Sequence, residues 1–191
     1  VTAIYYDTEF LETGSSIDLI SIGLVAETGE ELYCVVADDD LMDRIARHPW
    51  LNKHVMPSLP VTINYDRFHI DGHGDHPVSS WKWDLDHADW PDVLPRSVIA
   101  DKVRQFIRSF PDPQLWAWYG AYDHVALCWL WGRMIDLPTG IPMWTNDIQQ
   151  EAQRLGDPRM PEQPAGEHNA LEDARFNLVR HQHLIKLEAA R

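Results

Sequence analysis

The sequence predicts an α/β protein: a mixed five-stranded sheet, three antiparallel strands and then two parallel ones, with helices on both faces. Three observations predict it. Apolar runs separated by turn residues fill the first 36 positions. Stretches of helical period begin only after them, and short strands then alternate with helices to the C-terminus.

Residues 3–8, built on Ile4-Tyr5-Tyr6, form the first expected strand; residues 18–26 and 31–36 form the next two. Glu27-Thr28-Gly29-Glu30 between the last pair is a hairpin signal, so the first 36 residues read as an antiparallel meander. Helices are expected at 41–48 and 95–110, the second carrying Val98, Val103, Phe106, Ile107 and Phe110 near a 3.6 period. Residues 114–119 read as a strand between Pro113 and Gly120, and residues 121–131 as a helix ended by Gly132. A strand at 141–145 leads into a helix at 147–155, and a Pro-rich loop at 158–164 precedes a last helix from 170 to about 189. Asn146 with Gln149, and Asn169 with Glu172, supply capping boxes for these two helices. An order β-β-β-α-β-α-β-α is that of the ribonuclease-H-like layout.

A length of 191 residues fits one domain spanning 1–191, and 45% hydrophobic content suffices for an ordinary core. The segment 69–90, rich in His, Gly and Trp, reads as an insertion. Its Asp71, His73, Asp75, His76 and His87 are transition-metal donors by type, but a polar surface insertion is the better reading. No apolar run approaches the roughly 20 residues that span a bilayer, and no basic-then-apolar leader opens the chain. Cys34 and Cys128, each in apolar surroundings, are expected to be buried thiols in a reducing cytoplasm. The net charge of −14 argues against a protein that clamps a long duplex through a basic face. Any nucleic acid it handles is a short stretch, with cations offsetting its own carboxylates.

Asp7 and Glu9 close the first strand at positions i and i+2, so both carboxylates face one side. Asp123 falls at the start of a helix that follows a strand parallel to the first, which brings the C-terminal ends of both strands to one sheet edge. His168 precedes the last helix and Asp173 lies one turn inside it. Separately each feature is common. Together, four carboxylates and one imidazole suit two divalent cations, Mg²⁺ or Mn²⁺, which prefer oxygen ligands. Such a pair, roughly 3.5–4 Å apart, stabilises the attacking and leaving oxygens of an in-line phosphodiester displacement. A histidine titrating near neutral pH is then the base that deprotonates water.

Asp7-Thr8-Glu9-Phe10, Trp118-Tyr119-Gly120-Ala121-Tyr122-Asp123 and His168-Asn169-Ala170-Leu171-Glu172-Asp173-Ala174 resemble, in order, the three motifs of the DEDDh exonuclease superfamily. Tyr6 to Phe10, Leu19-Ile20-Ser21-Ile22-Gly23 and the block from Leu115 to Leu127 resemble more closely the actinobacterial RNase AS group. The likeness runs from the first strand to the last helix. It implies a 3′→5′ exoribonuclease preferring adenylate-rich single-stranded tails, releasing 5′-nucleotides, and typically a homodimer. It also implies that Asp7 bridges both ions, that Glu9 and Asp173 hold the first, and that Asp123 acts through water near the second. His168 matches the general base. The long segment at 69–90 departs from the group and puts its base preference in question here.

Nine tryptophans suit a grip by stacking, worth about 1–3 kcal/mol per base. Phe10 and Leu11 beside the paired acids, with Gly120, are the candidate substrate contacts. Trp116, Trp118, Trp129, Trp131 and Trp144 are expected in the core or at an interface. Two competing readings stay open: the same chemistry on DNA 3′ ends, and a non-catalytic module of the same fold that binds a partner.

Overall fold

The computed structural model describes residues 1–64, 68–71, 74–77 and 80–191, with the backbone alone over 68–71 and 74–77. Strands β1 (Thr2–Glu12), β2 (Ile17–Ala26) and β3 (Glu31–Val36) form the expected antiparallel meander. Helices α1 (Asp39–Arg47) and α2 (Pro49–His54) follow. Then come the short strands β4 (Val61–Asn64), β5 (Phe68–Asp71), β6 (Gly74–Pro77) and β7 (Ser80–Trp83). The rest of the chain runs β8 (Val93–Leu94), α3 (Arg96–Arg108), β9 (Pro113–Ala117), α4 (Ala121–Cys128), β10 (Asn146–Asp147), α5 (Ile148–Arg154) and α6 (Ala170–Ala189).

The main sheet has six strands, not five, in the order β10-β9-β1-β2-β3-β8. The additional strand is the two-residue β8, parallel to β3 at the far edge. So short a strand has no alternation for a sequence pattern to register. The last parallel strand also shifts from the expected 141–145 to Asn146–Asp147. It pairs with Trp116 and Ala117, and Asp147 rather than Asn146 caps α5, its carboxylate accepting from the Gln149 N–H at 2.8 Å. Asn146 instead donates its side-chain amide to the Leu115 carbonyl, at 3.0 Å.

Alternation along β1 sorts its side chains between two cores. Ile4 and Tyr6 join a main cluster with Val103 and Ile107 of α3 and Ala126 and Leu127 of α4. Tyr5 joins a second cluster with Ile148 and Ala152 of α5 and Leu184 of α6. From Tyr5 to Glu9, before the register shift, residues of odd number in this strand therefore look toward α6, and Asp7 and Glu9 are two of them. Cys34 and Cys128 are both buried and unpaired.

Across the segment expected as an insertion and the residues just before it, β4 pairs with β7 and β5 with β6, both antiparallel. The Trp81 and Trp83 indoles each donate to an α1 carboxylate, Asp43 and Asp39, at 2.8 Å. His73 and the side chains of Asp71, Asp75 and His76 lie outside the described residues. The buried stripe of α6 is Ala170, Ala174, Asn177, His181 and Leu184, while Ile185 is half exposed. The helix lies over a polar patch of the sheet as well as an apolar one, so its inner face does not follow hydropathy.

Candidate active site

Strand β1 carries Asp7 and Glu9 beyond the point where its parallel neighbour stops. Pairing with β9 ends at Tyr5 and Trp116, because the chain turns away after Ala117. The Thr8 N–H is thereby left without a strand partner on that edge. Asp123, in the first turn of α4, fills the place: its Oδ1 accepts from the Thr8 N–H at 2.9 Å and from the Thr8 hydroxyl at 2.7 Å. The bonds hold an almost fully buried carboxylate at the edge where the acids gather. Across β2 the register slips between Glu9 and Phe10, with Ile20 left over as a bulge. Bulges commonly re-aim the side chains next to a site.

Helix α6 brings the third motif. Its cap is Asn169, whose side chain accepts from the N–H groups of Leu171 and Glu172; the expected capping box is only half formed, because the Glu172 carboxylate pairs with Arg175 and the Asn169 N–H goes to the Gly166 carbonyl. The helix start can approach the sheet only because Gly23, opposite Asp7 in the register, has no side chain. A Cβ there would lie 2.3 Å from the Ala170 carbonyl oxygen and 2.4 Å from the Leu171 Cα. Asp173 is then fixed on both oxygens: Gln163 donates to Oδ1 at 2.7 Å and the His168 N–H to Oδ2 at 2.8 Å. His168 holds a left-handed backbone, φ 67°, and the Ser58 hydroxyl donates to its carbonyl at 2.6 Å. A non-glycine residue in this region is uncommon and is kept only where its surroundings enforce it.

Glu9, His168 and Asp173 each bring one donor atom within 4.8 Å of the others. The His168 Nδ1 stands 4.0 Å from Glu9 Oε1. Asp7 and Asp123 lie outside that triplet but within its field. Burial, and then the charges of Asp123, Glu9 and Asp173, drive the Asp7 carboxyl well above the ordinary carboxylate range. Burial followed by the Asp173 and Asp123 charges pushes Glu9 up to about 8. Asp123 is raised to about 6, chiefly by burial, with the Thr8 bonds pulling the other way. Burial also raises Asp173. Carboxylates whose ionised forms oppose one another this way need positive charge to coexist. Their oxygen donors match what a hard divalent cation takes, so the residues fit Mg²⁺ or Mn²⁺.

The candidate substrate contacts divide. Phe10 is partly exposed and stacks on Tyr122 at 6.0 Å between centroids. Leu11 is buried in the main core and presents no face to a ligand in this conformation. Gly120 stands at a tight packing point, where a Cβ would meet the Ala117 Cβ at 2.7 Å. Trp144, expected in the core or at an interface, is 68% exposed in the chain, and Trp129 is partly exposed. Trp116 does pack inward, its ring 3.9 Å from that of His181.

Sequence reasoning missed three groups at this edge. Trp50 meets the His168 ring edge-on at 4.9 Å and stacks on His54 at 5.0 Å, so α2 forms one wall of the site. Gln163 comes from the Pro-rich loop. Arg180 lies two turns beyond Asp173 on α6. None sits in a motif, and only the docking of their elements brings them here.

The sheet order and the acid-lined edge define the class, a ribonuclease-H-like exonuclease. In agreement, the fold is similar to that of an exonuclease I solved in its apo form, with a TM-score of 0.57 and 11% identity over all of this chain and 42% of that one. No protein-family profile matches the sequence. The chain is, however, 39% identical over 178 residues to a 3′-5′ exoribonuclease of Mycobacterium tuberculosis, found in strains CDC 1551 and H37Rv, covering 92% of this chain and 89% of the relative. It belongs to that 3′-5′ exoribonuclease family.

Proposed function

We propose that the protein shortens single-stranded RNA from the 3′ end, releasing 5′-nucleotides, with adenylate-rich tails as preferred substrate. One observation carries the reading: acids from β1, α4 and α6 meet one imidazole at a single sheet edge. Family membership and the DEDDh-like motifs support it. Two divalent cations, Mg²⁺ or Mn²⁺, held by Asp7, Glu9, Asp123 and Asp173, supply stabilisation of charge on the attacking and leaving oxygens. Asp123 is kept in place by Thr8 and Asp173 by Gln163 and the His168 backbone. His168 accepts the proton of the attacking water, its loop tied down through Ser58 and its ring flanked by Trp50. Phe10, with Tyr122 behind it, is the stacking surface for the terminal base, while Leu11 supports Phe10 from the core and Gly120 keeps the turn before α4 close to the strand.

We assign the segment 69–90 as a surface insertion within a single domain, and the protein to the cytoplasm, where the two buried free thiols suit a reducing environment. No described helix is long and apolar enough to cross a membrane. A homodimer follows from the family resemblance, and exposed Trp144, Met143 and Tyr119 offer apolar surface for it.

Digestion of 5′-labelled oligo(A), oligo(U), oligo(C) and matched DNA, with and without Mg²⁺, tests the reading. The expected result is a metal-dependent ladder shrinking from the 3′ end, fastest on oligo(A). Equal digestion of DNA would remove RNA specificity, since an RNA enzyme reads the 2′-hydroxyl; no shortening of any substrate would overturn the activity. His168→Ala should lose about 10²–10⁴-fold in rate and still bind Mn²⁺ in calorimetry. Lost Mn²⁺ binding would make His168 a ligand rather than a base.

A further inference from the structure

The carboxylate edge has one cation beside it that no motif announces. Arg180 is half-buried on the inner side of α6, with its guanidinium 4.8 Å from the Trp118 ring centroid and 4.6 Å from that of Phe176. Its Nη1 donates to Asn177 Oδ1 at 2.9 Å, and the fully buried Asn177 donates in turn to the Tyr6 carbonyl at 3.2 Å. The guanidinium is thereby anchored next to the residue that precedes Asp7. Burial lowers its pKa, and the charges of Asp173 and Asp7 raise it, so it lies within the field of the acids.

Several other arginines of this acidic chain are spent on carboxylates. Arg154 holds Glu151 and Glu188, and Arg175 holds Glu31 and Glu172. Among the described residues Arg180 forms no such ion pair, although the charges of Asp173 and Asp7 act on it. Two ring contacts and one amide account for its placement and leave several N–H donors unused, since a guanidinium carries five. A planar fork held rigid by aromatic faces is the usual means of reading a phosphate.

We propose that Arg180 binds non-bridging oxygens of a substrate phosphate at the edge of the carboxylate cluster, making it a substrate-positioning residue. This rests on the exoribonuclease reading. The competing role is that of a counter-ion that merely eases repulsion among the acids. The two separate cleanly, because removing a counter-ion changes metal affinity first, whereas removing a phosphate ligand changes RNA affinity first.

Binding of a fluorescent oligoadenylate in Ca²⁺ at several salt concentrations, together with Mn²⁺ calorimetry, tests this on wild type, Arg180→Gln and Arg180→Lys. Arg180→Gln should bind RNA about 10-fold or more weakly, as loss of a charge-assisted contact implies. Its log K against log salt slope should shrink by about 0.7, the value for one phosphate of a single strand. Mn²⁺ affinity should be unchanged, and KM should rise more than kcat falls. Arg180→Lys keeps the charge and should recover the salt slope but only part of the affinity. RNA affinity and slope equal to wild type would overturn the assignment, as would a change in RNA binding matched by a comparable change in Mn²⁺ affinity in either direction. Wild type that neither bound nor shortened RNA would instead overturn the exoribonuclease reading, and this assignment with it.

Discussion

Two pairs of carboxylates make up the acid-lined edge, and the protein treats them differently. Asp123 and Asp173 accept hydrogen bonds from Thr8, Gln163 and the His168 backbone. Asp7 and Glu9 accept none among the described residues, and they carry the strongly raised pKa values. The first pair is oriented by the fold itself. The second is aimed by strand geometry alone, and its charge is left for cations to balance. On the proposed reading, half of the site is thus built before any ion would bind, while the other half stays electrostatically unfavourable without one.

Breaking the unsatisfied half should have the largest effect. Asp7→Asn removes the carboxylate that all the others oppose, and should cost roughly a thousandfold or more in Mg²⁺-dependent exonuclease rate, the scale of losing a principal electrostatic group. The fold should survive, since no hydrogen bond of the described residues is lost; a circular dichroism spectrum and a rate measurement check both. Next comes the approach that builds the oriented half. Gly23→Ala drives a methyl into the α6 backbone, and an overpacked contact of this kind should destabilise by about 1–3 kcal/mol. Mn²⁺ affinity should weaken with it, because Asp173 moves with the helix; an unfolding titration showing wild-type stability would refute the close approach.

Thr8→Val removes one of the two bonds to Asp123 and keeps the backbone one. Loss of an orienting partner to a ligand typically costs about 10–100-fold in metal affinity or activity, and calorimetry with Mn²⁺ resolves that range. The smallest effect is in stability against pH. Glu9 is raised from 4.5 to about 8 and Asp123 from 3.8 to about 6. The folded protein therefore binds these protons more tightly than the unfolded chain. That contribution is complete below the unfolded values and lost as pH rises through about 6 and then about 8. Metal-free protein should melt a few degrees lower at pH 8 than Glu9→Gln relative to the same comparison at pH 5, with Mg²⁺ abolishing the difference. Parallel pH curves for wild type and Glu9→Gln would contradict the strain placed on Glu9.

The sequence announced the acids better than their surroundings. Asp7 and Glu9 share a face because strand residues two apart always do, and Asn169 caps α6 because its amide is the local partner for exposed N–H groups. Those are short-range rules. The sixth strand β8 and the buried Leu11 ran against expectation because each depends on what another element covers.

By itself the sequence determined the meander, the order of helices and the identity of the acids, since periodicity, turn chemistry and capping act over a few residues. Only the tertiary structure decided that Thr8 would hold the Asp123 carboxylate, that Trp50 would lie against His168, and that Asn177, which anchors Arg180, would reach the Tyr6 carbonyl of β1. The reason is physical: a hydrogen bond or ring contact between residues more than a hundred positions apart has no local signature. It exists only after α6 has settled against a strand that Gly23 leaves open.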